Sequence, residues 1–161
     1  MKHETFNQTS RTTTFTLLRV GVGLIFVAHG WVKLSDTAAA AEGFASAGVP
    51  WPEVMIYLAI AGEFFGGLGL LIGLLTKVAA LGPLFTMVGA ILFVHLGHGL
   101  FAQDGGWEYP LTLLLVSLLY VVHGAGPVSV DALLASRRER RHTSKSLGHR
   151  PPEGTPRQHP A

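Results

Sequence analysis

VMIYLAIAGEFFGGLGLLIGLL, Val54 to Leu75, carries a single charged group, Glu63, near its middle. Twenty-two residues of this kind make an apolar helix as long as the hydrocarbon core of a bilayer is thick. A carboxyl at that depth is costly, so it marks a site by default. Ala59, Gly66 and Gly67 stand at i−4, i+3 and i+4 from Glu63, on its own helical face. Gly62 with Gly66, and Gly69 with Gly73, repeat the small-xxx-small spacing that lets helix backbones approach. Glu63 is therefore expected to point into a bundle rather than at lipid.

Composition agrees with that reading. The 161 residues are 48% hydrophobic and only 14% charged, with 20 glycines. Charged residues make up about a quarter of an ordinary soluble domain. The mean hydropathy of +0.40 fits a polytopic membrane protein. No cysteine is present, which excludes thiol redox chemistry, cysteine-ligated Fe–S clusters and c-type haem attachment. Any redox role needs a bound cofactor, a quinone or a partner subunit.

Working outward, the pattern predicts an all-α, membrane-embedded four-helix bundle with helices over about 15–34, 54–75, 78–100 and 107–123, the whole domain spanning 15–126. Residues 1–14 are polar and Thr-rich and read as a mobile cytoplasmic arm. The first apolar run, followed by Ala38 to Ala41, imitates a signal peptide, but three further spans follow and the segment is read as retained. Residues 35–52 read as an outside loop, stopped by Pro50 and Pro52. Pro83 and Pro110 fall in the opening turns of helices three and four, where a missing N–H costs least. Residues 127–141 allow a surface amphipathic helix with Val130, Leu133 and Leu134 toward lipid. Residues 142–161 read as a disordered basic tail.

Charge placement predicts orientation. Lys2, Arg11, Lys77 and the tail bases share one side, whereas Asp36, Glu42, Glu53 and Asp104 lie on the other with Lys33 the only base nearby. The positive-inside rule then puts both termini in the cytoplasm. The run of Arg137, Arg138, Arg140 and Arg141 has no aromatic interleaving, so it reads as a topology signal and not as a nucleic-acid site.

Depth assignment gathers a polar cluster in the outer half of the bundle. Arg19, Gly23, Gly30 and Lys33 fall within about 80° of arc on helix one, with His29 just beside them. His95 and His98 end helix three, and Glu108 opens helix four. A histidine near a carboxylate in a dry site makes a proton relay. A quinone head group needs hydrogen-bond donors at its carbonyls and protons when reduced. Candidate catalytic residues are therefore Glu63, His29 and His95, and candidate cofactor-binding residues are Lys33, Glu108, Arg19 and His98. Quinone is the expected cofactor, with b-type haem on two histidines as the alternative. No metal site is expected, since the H-x-x-H of His95 and His98 lacks a zincin's acid. Each group also has a scaffold reading: Lys33 and Arg19 snorkelling, Glu108 favoured by the helix dipole, His98 a solvated helix end, Glu63 a packing pair with His29 or Lys33.

The motifs resemble those of the DoxX family. LLRVGVGLIFVAHGWVKL (Leu17 to Leu34) is similar to the family's opening helix, with Arg19 and the H-G-x-x-K of His29, Gly30 and Lys33. GFASAGVPWPE (Gly43 to Glu53) resembles its outside loop, and AGEFFGGLGLLIGLLTKVAAL its second helix, with Glu63 at the acidic position. FVHLGHGLF and GGWEYPL resemble the end of its third helix and the start of its fourth, matching His95 and Glu108, whereas His98 stands where an amide or other polar residue is expected. The resemblance runs from about Leu17 to Leu134. It implies a four-helix protein of the cytoplasmic membrane. The family is named after a subunit of a thiosulfate:quinone oxidoreductase, and many members are called oxidoreductases on that basis, whereas relatives in the wider group look like membrane chaperones or cargo receptors. Three readings follow: a quinone-linked redox subunit with a partner donor, a non-catalytic adaptor or assembly subunit whose cluster is structural, and, third, a proton-coupled transporter, which lacks an inverted repeat here.

Overall fold

The computed structural model describes residues 2–147. Six helices account for most of them: α1 (Lys2–Ser35), α2 (Thr37–Ser46), α3 (Pro52–Ile72), α4 (Thr76–His98), α5 (Glu108–His123) and α6 (Val130–Leu147). No strand occurs among the described residues. In α1 the stretch Gln8–Ser35, with α3 and α4, is long and apolar enough to cross a bilayer. The fourth span, α5, has 16 residues and an apolar length of about 24 Å, short of the roughly 30 Å core. Trp107 precedes it as an interfacial anchor.

Glycines set the packing. A Cβ at Gly23 would lie 2.8 Å from the Leu71 backbone nitrogen, and one at Gly67 would lie 2.8 Å from that of Val27. The backbones of α1 and α3 therefore touch. Gly62 and Gly82 do the same for α3 and α4, where a Cβ on Gly82 would stand 2.6 Å from the Gly62 Cα. With no hydrophobic drive between spans in lipid, such close approach supplies the van der Waals contact that holds them. Val22, Phe26, Leu70, Ala80, Met87, Leu113 and Tyr120 fill the centre. The Tyr120 hydroxyl donates to the Phe15 carbonyl at 2.7 Å, joining α5 to α1. Leu17, Leu24, Tyr57, Phe65, Phe85 and Leu115 are exposed at the bundle's outer surface, where lipid would cover them.

Four segments differ from expectation. The N-terminal arm is helical from Lys2, because extending a nucleated helix costs little per residue and the Thr13 and Thr16 hydroxyls bond the carbonyls four residues back. The outside loop holds α2, which starts where the Asp36 carboxylate accepts from the Ala39 N–H at 3.0 Å and runs through four alanines. The α3–α4 turn falls at Gly73 to Leu75, earlier than the Thr76-Lys77 turn expected, because Gly73 adopts φ 70° and closes the helix with the Leu74 N–H on the Gly69 carbonyl. The basic stretch continues as helix to Leu147, since neither Gly nor Pro interrupts it. The rest of the expected disordered tail, including Arg150 and Arg157, lies outside the described residues.

Candidate functional site

Glu63 lies on a π-helical turn, Ala61–Phe65, inside α3. Such turns insert an extra residue into the helical ladder, re-aim side chains, and recur at functional sites. Glu63 is 4% exposed. Its Oε2 accepts from Lys33 Nζ at 2.6 Å, and the Lys33 side chain is 21% exposed. Gly30 makes this reach short. A Cβ there would stand 2.6 Å from the Phe64 backbone nitrogen, so α1 passes directly over the π-turn. A buried carboxylate in hydrocarbon needs such a partner.

The remaining candidates divide. His29 is exposed, and its ring makes no hydrogen bond or ion pair among the described residues. It lies at the exposed edge of the buried arc formed by Arg19, Val22, Gly23, Phe26 and Gly30. As i−4 to Lys33, it is that residue's neighbour on the helix surface. His95 ends a second π-helical turn, Ala90–His95, and its Nδ1 bonds the Gly105 carbonyl at 2.6 Å. A carbonyl only accepts, so the proton sits on Nδ1, and Nε2 of the neutral ring is left as an acceptor. Glu108 Oε1 accepts from the Ala102 N–H at 2.7 Å, and His98 Nδ1 bonds the Val94 carbonyl at 3.0 Å. His95 and Glu108 stitch the α4–α5 connection, whereas His98 bonds back within α4. Among the described residues, no three His, Asp or Glu side chains come together as a metal site would require.

Arg19 belongs to the opposite end of α1. It is 3% exposed, and its two terminal nitrogens donate to the Ala125 and Val128 carbonyls at 2.7 and 2.9 Å. Fourteen residues, about 21 Å of helix, separate it from Lys33. Beside it stands a residue that sequence reasoning passed over, Asp131. Its carboxylate accepts from the Leu75 and Thr76 N–H groups at 2.8 and 3.0 Å, and its own N–H donates to the Gly73 carbonyl at 2.9 Å. Partial burial pushes the Asp131 carboxyl up, but the Thr76 and Leu75 N–H bonds and the Arg19 charge outweigh it and hold the group below its ordinary value. GLLTK offers Thr76 as a cap candidate of its own, so nothing in the sequence signals that Asp131 would serve.

A shallow groove between α3 and α4, lined by Gly62, Gly66, Gly69, Leu75, Val78 and Ala79 among others, holds no ionisable side chain. The polar chemistry thus sits at the Lys33–Glu63 pair and the exposed His29 beside it.

The DoxX family model matches residues 14–96, which take in the three glycine-packed spans almost whole and the Lys33–Glu63 pair. The chain belongs to the DoxX family. Three relatives bear this out over most of their length. The inner membrane protein YqjF of Escherichia coli is 34% identical over 119 residues, covering 72% of this chain and 88% of that protein. The Bacillus subtilis protein named "Putative oxidoreductase CatD" is 32% identical over 115 residues, covering 71% and 82%. The uncharacterized membrane protein Rv3486 of Mycobacterium tuberculosis is 31% identical over 131 residues, covering 74% and 80%. No solved structure matches the chain. This DoxX-family chain is a multi-pass membrane protein whose first two spans meet at a buried ion pair.

Proposed function

We propose that this protein is the membrane subunit of a quinone-linked oxidoreductase, with the quinone head group entering from the bilayer at the His29 and Lys33 face of α1. One observation carries the reading: an exposed imidazole without a hydrogen-bond or ion-pair partner among the described residues lies one turn from a buried Lys–Glu pair. His29 stands six residues, about 9 Å, from the end of α1, a depth that a head group near the interface reaches. A bound quinone would supply the two-electron chemistry. His29 would donate to a carbonyl oxygen. Lys33 and Glu63 would hold a proton within a side chain's reach and keep it from bulk water. Electrons would come from a partner subunit, since the chain has no cysteine for thiol redox chemistry or for an iron–sulfur cluster. The name of the Bacillus subtilis relative supports the reaction class. The charge distribution supports cytoplasmic termini and a place in the inner membrane, as the name of the Escherichia coli relative does.

The test is an absorption spectrum and lipid extract of the protein purified in mild detergent, alongside His29→Ala. Quinone should co-purify with the wild type and be lost from the variant at unchanged thermal stability. Absence of quinone from both, with unaltered quinone reduction in His29→Ala membranes, would overturn the reading.

A second reading, an adaptor or assembly subunit without catalysis, is favoured by a different observation. Arg19, His95 and Glu108 are all bonded to backbone groups. It predicts recovery of partner protein, not quinone, in the same purification.

A further inference from the structure

The α6 helix leaves the bundle as a charged arm with two unlike faces. Ser129 caps it, its Oγ accepting from the Ala132 N–H at 3.1 Å, and Asp131 pins its first turn to the α3–α4 corner. From Leu133 to Arg140 every residue is exposed, so no other part of the described protein covers the arm. At 100° per residue, Val130, Leu133, Leu134, Arg137, Arg138 and Arg140 fall in one arc of about 160°. Leu133 and Leu134 are half exposed and lie nearest the bundle; the arginines follow farther out. Glu139 falls opposite the arc's centre, and Asp131, at the arc's edge, is occupied by the Leu75 and Thr76 N–H groups. Lys77 sits at the same end of the bundle, one residue beyond the corner that Asp131 caps.

We infer that this face of α6 docks onto anionic phospholipid head groups of the bilayer that holds the bundle, its leucines entering the acyl boundary and Arg137, Arg138 and Arg140 pairing with phosphates. Three points select that occupant. The arm is tethered where two spans end, so the head groups are the nearest surface. Its apolar residues are too few to dock a partner helix over more than a turn. Its bases are on the face that carries them, and anionic lipid attracts juxtamembrane bases within a Debye length. The inference is independent of any quinone chemistry in the bundle.

The chain's lack of cysteine allows a direct test. Leu134→Cys, and Ala135→Cys on the far face as control, are labelled with an environment-sensitive fluorophore in the full chain. Each is reconstituted into nanodiscs of phosphatidylcholine alone or with phosphatidylglycerol, and quenching by aqueous iodide is read. The label at 134 should lose accessibility in the anionic discs and regain it on raising salt, while that at 135 stays quenchable in both. Combined Arg137→Gln, Arg138→Gln and Arg140→Gln should abolish the lipid difference at an unchanged melting temperature. Equal quenching of the 134 label in both lipids would overturn the inference, as would equal protection at both positions. Protection by an added RNA or acidic protein in neutral discs, without protection by anionic lipid, would also overturn it and assign the face to that partner. Because the lipid comparison is made on the chain with its arginines intact, it stands even where the triple variant fails to fold.

Discussion

Replacing Glu63 by Gln leaves Lys33 as a cation facing a span interior. The carboxylate it loses is 4% exposed and 2.6 Å away. Breaking a buried pair by removing one partner costs about 3–5 kcal/mol, because the surviving charge stays desolvated. The Lys33 side chain keeps 21% exposure one turn from the helix end, so part of its charge can swing toward the head groups. That relief places the expected loss near the lower limit, about 3 kcal/mol, or roughly a hundredfold in the folding constant. Lys33→Met alone leaves a buried carboxylate that can take up a proton, and its cost should be smaller. Lys33→Met combined with Glu63→Gln removes both charges and should recover most of the loss, as neutral replacements of buried pairs do. The assay is reversible unfolding in mixed detergent micelles, followed by far-UV circular dichroism, on all four proteins of the cycle. If the double variant were as unstable as Glu63→Gln, or if Glu63→Gln cost under about 1 kcal/mol, the pair would not be the neutralised centre described here.

Further outcomes follow from other contacts. Gly30→Ala puts a methyl 2.6 Å from the Phe64 backbone nitrogen and should cost about 1–3 kcal/mol in the same unfolding assay, with part of the Glu63→Gln effect absorbed because the helices are already pushed apart. His29 is exposed and makes no hydrogen bond or ion pair among the described residues, so His29→Ala should shift stability by no more than about 0.5 kcal/mol; a larger loss would mean that the ring has a protein partner. The Asp131 latch should be pH-dependent. Its carboxyl is held below the ordinary value, so the stabilisation is complete above the unfolded carboxyl range, about pH 3.9, and fades as pH falls through the lower folded value. Protection factors at the Leu75 and Thr76 amides, corrected for the intrinsic pH dependence of exchange, should fall over that acid window, and Asp131→Asn should remove the change; pH-independent protection in the wild type would refute the latch.

The spans were legible because hydropathy and length decide them, and Glu63 was legible as buried because Gly66 and Gly67 share its face. The polar and glycine seam of α1 also follows from register alone: Arg19, Gly23 and Gly30 are all buried. Which base Glu63 takes does not follow from register. His29 and Lys33 differ by only about 40° of arc, and the choice depends on where α3 crosses α1, which Gly30 and Phe64 set through space. His95 and Glu108 were placed at similar depth to His29 and Lys33, with Glu63 beneath, yet they bond the Gly105 carbonyl and the Ala102 N–H, because a tight connection leaves backbone groups that outcompete distant side chains. Asp131 was hidden for a related reason. Its ligands are backbone N–H groups more than fifty residues away, and backbone groups leave no mark in a sequence.

The two polar anchors of α1 close at different stages of synthesis. Lys33 meets a partner 30 residues downstream, so its charge is neutralised as soon as the second span leaves the ribosome, and the first hairpin can partition into lipid as a neutral unit. Arg19 waits for carbonyls 106 and 109 residues on and stays unsatisfied until the last span has emerged. A nascent chain stalled after α4 would therefore keep one guanidinium without its two carbonyl partners at that end of the bundle.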